Sequence, residues 1–139
     1  MTGSAPAPSV TGKPLWWLRF DGLALLAAAL ILFGATHQPL WLIPAVILLP
    51  DLFMVGYLGS ARLGAAVYNL GHSYPLPAIM SLAGLAWHHP LTLALGLLWL
   101  AHIGMDRLAG FGLKYDTSFQ HTHLSSPAGH AGRGRIAGR

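Results

Sequence analysis

Histidine, aspartate and asparagine side chains stand at helical spacing in two segments of this sequence. Asn69 and His72 are three residues apart, and His102 and Asp106 are four apart. On a helix, residues at these spacings share a face. Imidazole and carboxylate groups can bind a divalent metal ion, and imidazole also exchanges protons near neutral pH. The spacing therefore predicts two helix faces that carry chemistry.

The first interpretation of these residues is a metal site that activates water. The sequence contains no cysteine, so imidazole and carboxylate groups are the available ligands, and they suit catalytic Zn²⁺ or non-haem Fe²⁺ with an open position. A lipid or other amphiphilic ester is the expected substrate, since metal-bound water ionises near neutral pH. The expected roles are metal ligation for His72, His102, Asp106 and His123, general base or supporting carboxylate for Asp51, orientation of His72 for Asn69, and headgroup contact for Arg107 or Lys114.

Two other interpretations use the same residues. Buried histidine and aspartate side chains can form a non-catalytic hydrogen-bonded network, as in a small transporter, a proton relay or a membrane interaction protein. The prolines near His72 and Asp51 would permit the conformational change that a carrier needs. His72 and His102 also fall at matched depths on different helices, which is the arrangement of bis-histidine haem ligation, although nearby carboxylates are unusual in a haem pocket.

The segment from Lys114 to Leu124 is too polar to cross a membrane. Its aromatic residues suit an interfacial position, folded back under the helices. His121 and His123 are two residues apart in this segment, and in extended backbone such a pair points the same way. The pair is therefore predicted to offer two imidazoles to one metal ion.

The composition predicts an integral membrane protein. Of the 139 residues, 54% are hydrophobic and 9% are charged, whereas soluble domains carry about 25% charged residues. The formal net charge is +4, but the basic residues stand at the ends of apolar segments, where positive charge reports membrane orientation. Membrane lipids are therefore the expected partners, and a nucleic-acid-binding protein is excluded.

Four apolar segments approach or exceed the length of about 20 residues that a membrane-spanning helix needs. Lysine or arginine residues lie before the first segment, between the second and third, and after the fourth, so both termini are expected in the cytoplasm. The sequence thus predicts an all-α bundle of four transmembrane helices in the inner (plasma) membrane. The predicted domain covers residues 15–124, with disordered tails at 1–14 and 125–139. The sequence leaves open whether the protein forms a homo-oligomer. The predicted spans are Leu15–Phe33, Leu40–Leu58, Leu63–Trp87 and Leu91–Leu108.

Polar residues of the four spans fall at a shared depth. An intramembrane carboxylate costs about 2.5–3.5 kcal/mol on insertion scales and usually faces the bundle interior. Pro75 cannot donate to the Gly71 carbonyl, which leaves an acceptor beside His72. A buried polar pocket on the cytoplasmic side is therefore predicted. With a rise of about 1.5 Å per residue, the side chains about 3–5 Å to the cytoplasmic side of each span centre are Asp21, Asp51, His72 and His102.

Several stretches of the chain resemble a family of small bacterial membrane proteins known as domain of unknown function 4260, and a fainter similarity connects the chain to membrane-bound metal-dependent hydrolases. The first resemblance runs from about Arg19 to Leu124 and implies a compact multi-helix membrane protein. His121 departs from the family's pattern. The stretches are PDLFMVGYLG (Pro50–Gly59), AAVYNLGHSYPLP (Ala65–Pro77), WLAHIGMDRLAGFGLKY (Trp99–Tyr115) and THL (Thr122–Leu124), and the matching polar positions are Asp51, Asn69, His72, His102, Asp106, Arg107, Lys114, Tyr115 and His123.

Overall fold

The structure, a computed structural model, describes residues 9–116 and 119–124. Most of the predicted tails, residues 1–8 and 125–139, lie outside this part. The described residues form helices joined by short connections, with one isolated β-bridge between Lys114 and Thr122, so the predicted all-α class is confirmed. In chain order the helices are α1 (Lys13–Ala35), α2 (Leu42–Val46), a 3₁₀ helix (Leu49–Leu58), α3 (Ala61–Gly71), α4 (Pro75–Ala86) and α5 (Pro90–Ala109).

Helices α1 and α5 are the two helices of the described chain that are long and apolar enough, by length and composition, to cross a membrane. They contain 23 and 20 residues and coincide with the first and fourth predicted spans. The two helices pack closely, because a Cβ atom on Gly22 would lie 2.7 Å from the Gly104 carbonyl oxygen. This close contact fixes α1 against the helix that carries His102.

The second and third predicted spans are each divided in the structure. Leu40–Leu58 becomes α2 followed by the 3₁₀ helix, and Leu63–Trp87 becomes α3 and α4 with a break at residues 72–74. Pro50 and Pro75 explain both divisions, since proline lacks a donor and disfavours helical backbone in the residue before it. The four-span topology with cytoplasmic termini stays a prediction.

Glycines allow the shorter helices to approach one another. Gly64 lies under the ring of Tyr57 and Gly71 under the ring of Phe53, so α3 packs directly on the 3₁₀ helix. In α4, a Cβ atom on Gly84 would meet the backbone of Leu93 in α5. Because α4 and the 3₁₀ helix both lie near α5, the break after α3 is brought next to the middle of α5.

Candidate metal centre

Three separate elements bring two histidines and two aspartates together. His72 follows directly after α3 at its C-terminal cap, and His102 and Asp106 lie in α5. Asp51 lies in the first turn of the 3₁₀ helix. Both imidazoles are fully buried, with 0% exposure. The helical break that Pro75 imposes therefore places the first imidazole inside the bundle, facing the second.

The ring nitrogens of these histidines face two carboxylate oxygens. The Nε2 atoms of His72 and His102 are 3.1 Å apart. Asp51 Oδ1 lies 3.4 Å from the first and 3.6 Å from the second, and Asp106 Oδ2 lies 3.6 Å and 3.5 Å from the same atoms. The carboxylate distances exceed the 2.7–3.2 Å typical of hydrogen bonds from nitrogen to oxygen. Each carboxylate oxygen thus lies about equally far from the two imidazole nitrogens instead of pairing with one of them.

These distances fit the coordination sphere of a small divalent ion. Ligand atoms bound at about 2.0–2.1 Å to one tetrahedral ion lie about 3.4 Å from one another. Asp51, His72 and His102 each offer a ligand atom, and the three atoms all lie within 4.8 Å of one another. Their separations of 3.1, 3.4 and 3.6 Å bracket the tetrahedral value. A set of two imidazoles and one carboxylate is typical of Zn²⁺ or Fe²⁺ with an open position.

The tautomer of His72 is fixed by its own helix. Its Nδ1 atom lies 2.9 Å from the Tyr68 carbonyl oxygen, and because a carbonyl only accepts, Nδ1 carries the proton. The lone pair of the neutral ring is therefore on Nε2, which faces the centre. A backbone carbonyl that receives the second ring N–H is the usual support of a metal-binding histidine.

The side chain of Tyr68 supports the centre in two further ways. Its ring stacks on the His72 imidazole, with centroids 3.7 Å apart and an angle of 11° between the planes. Its hydroxyl lies 3.4 Å from Asp106 Oδ2, a long hydrogen bond. Sequence reasoning did not single out Tyr68, although it precedes His72 by four residues and so shares its helix face.

Side chains of α5 cap the two carbonyls at the break after α3. Trp99 Nε1 donates to the Gly71 carbonyl oxygen over 2.6 Å, and Arg107 Nη2 donates to the His72 carbonyl oxygen over 3.0 Å. The carbonyl of Gly71 is free for the indole because Pro75 has no N–H, as the sequence predicted. Arg107 is buried, and its guanidinium also donates to the Phe111 carbonyl. The headgroup contact predicted for Arg107 or Lys114 stays a prediction.

Asp51 forms the accessible side of the centre. Its side chain is 43% exposed, whereas that of Asp106 is 12% exposed and both imidazoles are fully buried. A small molecule that reaches the two imidazoles would therefore arrive past Asp51.

His123, predicted as a ligand, lies outside this group. Its Nδ1 atom accepts a hydrogen bond of 2.9 Å from the Leu113 N–H, and its backbone bonds to Leu113 and Val10. Burial lowers the pKa of His123, and the charge of Arg107 lowers it further. The imidazole is thus a neutral acceptor that fixes the segment after α5. That His121 and His123 point toward one metal ion stays a prediction.

Asn69 supports the chain after α5 instead of orienting His72. Its side-chain oxygen accepts from the Lys114 N–H over 2.7 Å, and its amide donates to the Lys114 carbonyl over 2.8 Å. The Lys114 ammonium donates to the Phe119 carbonyl and lies 4.6 Å from the centroid of the Tyr68 ring. Burial lowers the pKa of this ammonium group. The segment therefore folds back against α3, as an interfacial segment would.

Tyr115 and Asp21 lie apart from the histidine pair. The ring of Tyr115 contacts the ring of His121, with centroids 4.7 Å apart. Asp21 is exposed on α1 beside Trp17 and Phe20, so a shared depth did not bring it into the group. Asp51 and the two histidines do come together, because the 3₁₀ helix that carries Asp51 contacts both α3 and α5; their depth in a membrane stays a prediction.

The geometry does not support haem ligation. The His72 and His102 nitrogens are in direct contact at 3.1 Å, and their ring planes meet at 68°. Two nitrogens bound on opposite sides of one iron at about 2 Å each would be about 4 Å apart, with a macrocycle between them. The described residues leave no such space.

Comparison with known proteins places most of the chain in one family. Residues 16–126 match the family described as Domain of unknown function (DUF4260). No curated protein and no solved structure matches the chain.

Proposed function

We propose a function from the geometry of the chain itself, since it belongs to the family described as Domain of unknown function (DUF4260), a description that names no activity. The protein is an integral membrane protein that binds a divalent metal ion, Zn²⁺ or Fe²⁺, at His72, His102 and Asp51. When bound, the ion supplies Lewis-acid chemistry. The reaction proposed is hydrolysis of a lipid or another amphiphilic ester.

The convergence of four ligand atoms from three elements carries this proposal. The two imidazole nitrogens are 3.1 Å apart, and one oxygen of each carboxylate lies 3.4–3.6 Å from both of them. A buried carboxylate is costly unless a cation or several hydrogen bonds compensate it. Asp106, with a side chain 12% exposed, is such a carboxylate, and the more exposed Asp51 faces the same histidine pair. A divalent cation at the pair would balance both negative charges.

The two carboxylates receive different roles in this proposal. Asp51 is assigned as the third ligand, because its Oδ1 atom completes the group with the two imidazoles. Asp106 is assigned as the general base, because the Tyr68 hydroxyl positions its Oδ2 atom beside the same nitrogens. This assignment exchanges the roles that the sequence suggested for the two aspartates. Arg107 and Trp99 keep the backbone of His72 in place.

The membrane location rests on helix length and on the outer surface. Helices α1 and α5 are long and apolar enough to cross a membrane. Large hydrophobic side chains stand outward on several helices, among them Trp17 at 69%, Ile31 at 74% and Leu82 at 64% exposure. A surface with this much exposed apolar area fits contact with lipid. We place the protein in the inner membrane as a multi-pass protein with both termini in the cytoplasm.

A metal-free proton relay is the second candidate. The 3.1 Å contact between His72 Nε2 and His102 Nε2 is also a hydrogen bond, and carboxylates stand at both imidazoles. A small transporter or a non-catalytic interaction protein could use such a buried network. The two candidates differ in whether the purified protein contains a metal ion.

Metal analysis of the detergent-purified protein tests the proposal. The full chain, purified without chelator, is expected to contain a stoichiometric amount of Zn or Fe by mass spectrometry. His72→Asn and His102→Asn should each lose it. His37→Asn is the matched control, because His37 is exposed and has a φ of 54°, a conformation that asparagine tolerates.

The outcomes separate the two candidates. Equal metal content in His102→Asn and in the unchanged protein would contradict the assigned ligands. Protein that stays metal-free after incubation with Zn²⁺ and with Fe²⁺ would favour the relay.

A further inference from the structure

An apolar cavity of about 200 Å³ lies between the 3₁₀ helix, α4 and α5, and Pro50, the residue before Asp51, is in its wall. The Trp99 indole N–H is used by the Gly71 carbonyl, and none of the other side chains along this wall carries a polar group. An apolar wall of this kind favours an apolar occupant, and an engineered apolar cavity of about 150 Å³ binds benzene. The cavity therefore suits hydrocarbon. Its wall is formed chiefly by Val46, Leu49, Phe53, Met80, Leu95 and Trp99.

The cavity and the metal centre share structural elements. Pro50 also lines the cavity and directly precedes Asp51, and Phe53 follows Asp51 by two residues. On α5, Trp99 lies one turn before His102. The aromatic rings of Phe53 and Trp99 are 5.9 Å apart between centroids. Asp51, the accessible carboxylate, is thus one residue from the cavity wall in the chain and lies 3.4 Å from the His72 imidazole.

The rim of the cavity is continuous with an exposed apolar surface. Leu49 lines the cavity and is 49% exposed. Its neighbours Leu48 and Leu52 are 57% and 67% exposed. A molecule with a flexible apolar chain could therefore enter from this surface without crossing a polar barrier, and the part of the chain that exceeds the cavity could lie along these leucines.

We propose that this cavity binds the acyl chain of an amphiphile whose carboxylate or ester group reaches the metal centre at Asp51. The inference deepens the proposed function by naming the apolar part of the substrate, and it rests on that function for the polar end only. A free fatty acid and a phospholipid both supply such a chain, so the experiment uses each of them separately.

Trp99 can report the bound chain by fluorescence quenching. Replacing Trp16, Trp17, Trp41 and Trp87 with phenylalanine leaves Trp99 as the single indole of the chain. A fatty acid and a phosphatidylcholine, each brominated along the acyl chain, are then titrated into the detergent-solubilised protein. The brominated lipid that binds in the cavity is expected to quench Trp99 fluorescence saturably. The two titrations show whether the free acid or the phospholipid binds more tightly.

Variants that fill the cavity separate specific binding from general lipid contact. Val46→Phe and, from a different helix, Leu95→Phe should each lower the affinity for the brominated lipid, measured by Trp99 quenching, at least several-fold. Leu82→Phe is the matched control, because Leu82 is 64% exposed on α4 and does not line the cavity. Equal quenching in the parent and in both filled variants, or quenching that never saturates, would overturn the proposal.

A comparison with and without metal tests the polar end. Zinc-loaded protein should bind the brominated fatty acid several-fold more tightly than chelator-treated protein, and His102→Asn should remove this difference while quenching persists. Equal affinities in the loaded and chelated states would overturn the link to the metal centre. Saturable quenching in a protein that binds no metal would support the cavity while the proposed metal function fails.

Discussion

The Nδ1–H of His72 donates to the carbonyl oxygen of Tyr68, four residues earlier in the chain, over 2.9 Å. This single contact sets the protonation of the imidazole, because it leaves the lone pair on the nitrogen that faces His102. Tyr68 also covers the same ring and approaches Asp106. The last turn of α3 therefore determines both the orientation and the tautomer of His72.

Tyr68→Phe should weaken metal binding while keeping the fold. The substitution removes the hydroxyl that approaches Asp106 and keeps the ring that stacks on His72. Changes of this kind around metal ligands typically cost 10–100-fold in affinity, and because this hydrogen bond is long we expect about 10-fold. Competition with a chromophoric zinc chelator measures the affinity. Tyr74→Phe, at an exposed position, is the control, and an unchanged affinity in Tyr68→Phe would contradict the assigned role.

Trp99→Phe should destabilise the protein through the backbone of Gly71. The indole donor is lost, and the carbonyl of this buried glycine has no helical donor because Pro75 lacks an N–H. An unsatisfied buried acceptor costs about 1–3 kcal/mol. Unfolding in detergent should show a lower midpoint. Trp87→Phe removes an indole that is 78% exposed and should leave the unfolding midpoint unchanged. An equal decrease of the midpoint in both variants would argue against the role of Trp99 as donor to the Gly71 carbonyl.

The folded state should lose stability in mild acid through His123. Burial lowers the pKa of this imidazole from its usual value of 6.5, so the unfolded chain binds the proton more readily. The contribution of the neutral His123 imidazole to the free energy of unfolding is fully present above pH 6.5. It is lost as the pH falls from 6.5 toward the lower pKa of the folded state. The measurement is the unfolding midpoint between pH 5 and pH 8.

His123→Asn isolates this contribution. Asparagine offers an amide oxygen that can accept from the Leu113 N–H and does not titrate. The pH dependence of the variant should be flatter than that of the unchanged protein. Parallel curves would show that His123 does not titrate differently in the folded and unfolded states.

Asn69→Ala should release the chain after α5 from α3. Two hydrogen bonds between the Asn69 side chain and the backbone of Lys114 are lost, and the Lys114 backbone becomes more accessible. Tryptic cleavage after Lys114 should accelerate several-fold. Ser73→Ala removes one exposed bond to the Leu70 carbonyl and serves as the control. Cleavage at the same rate in both variants would contradict the anchoring role.

Sequence patterns predicted the parts of the fold that depend on local chemistry. Continuous apolar segments correctly indicated α1 and α5, and Pro75 correctly indicated a free carbonyl beside His72. The four-residue spacing placed His102 and Asp106 on one face, and the structure keeps both beside the histidine pair. Each of these features is fixed within one segment, where periodicity and proline chemistry are decisive.

The remaining features depend on contacts between distant segments. Pro50 and Pro75 mark where the second and third predicted spans divide, but no local pattern revealed that glycines such as Gly71 would let the shorter pieces pack on Phe53. The pairing of His123 with the Leu113 backbone arises from the turn after α5, which leaves no periodic signal. Asp51 joins the imidazoles because its helix packs on α3, and no spacing within its own segment shows this.

The 3₁₀ helix links the position of Asp51 to a change of helix type. A 3₁₀ helix rises about 2.0 Å per residue and an α-helix about 1.5 Å, so rewinding its ten residues would shorten it by about 5 Å. Tyr57, packed on Gly64, holds its far end against α3, and over the six residues from Asp51 to Tyr57 the two windings differ in length by about 3 Å. The 3₁₀ winding therefore keeps Asp51 farther from the end held by Tyr57 than an α-helix would, so the position of this carboxylate depends on the type of helix that carries it.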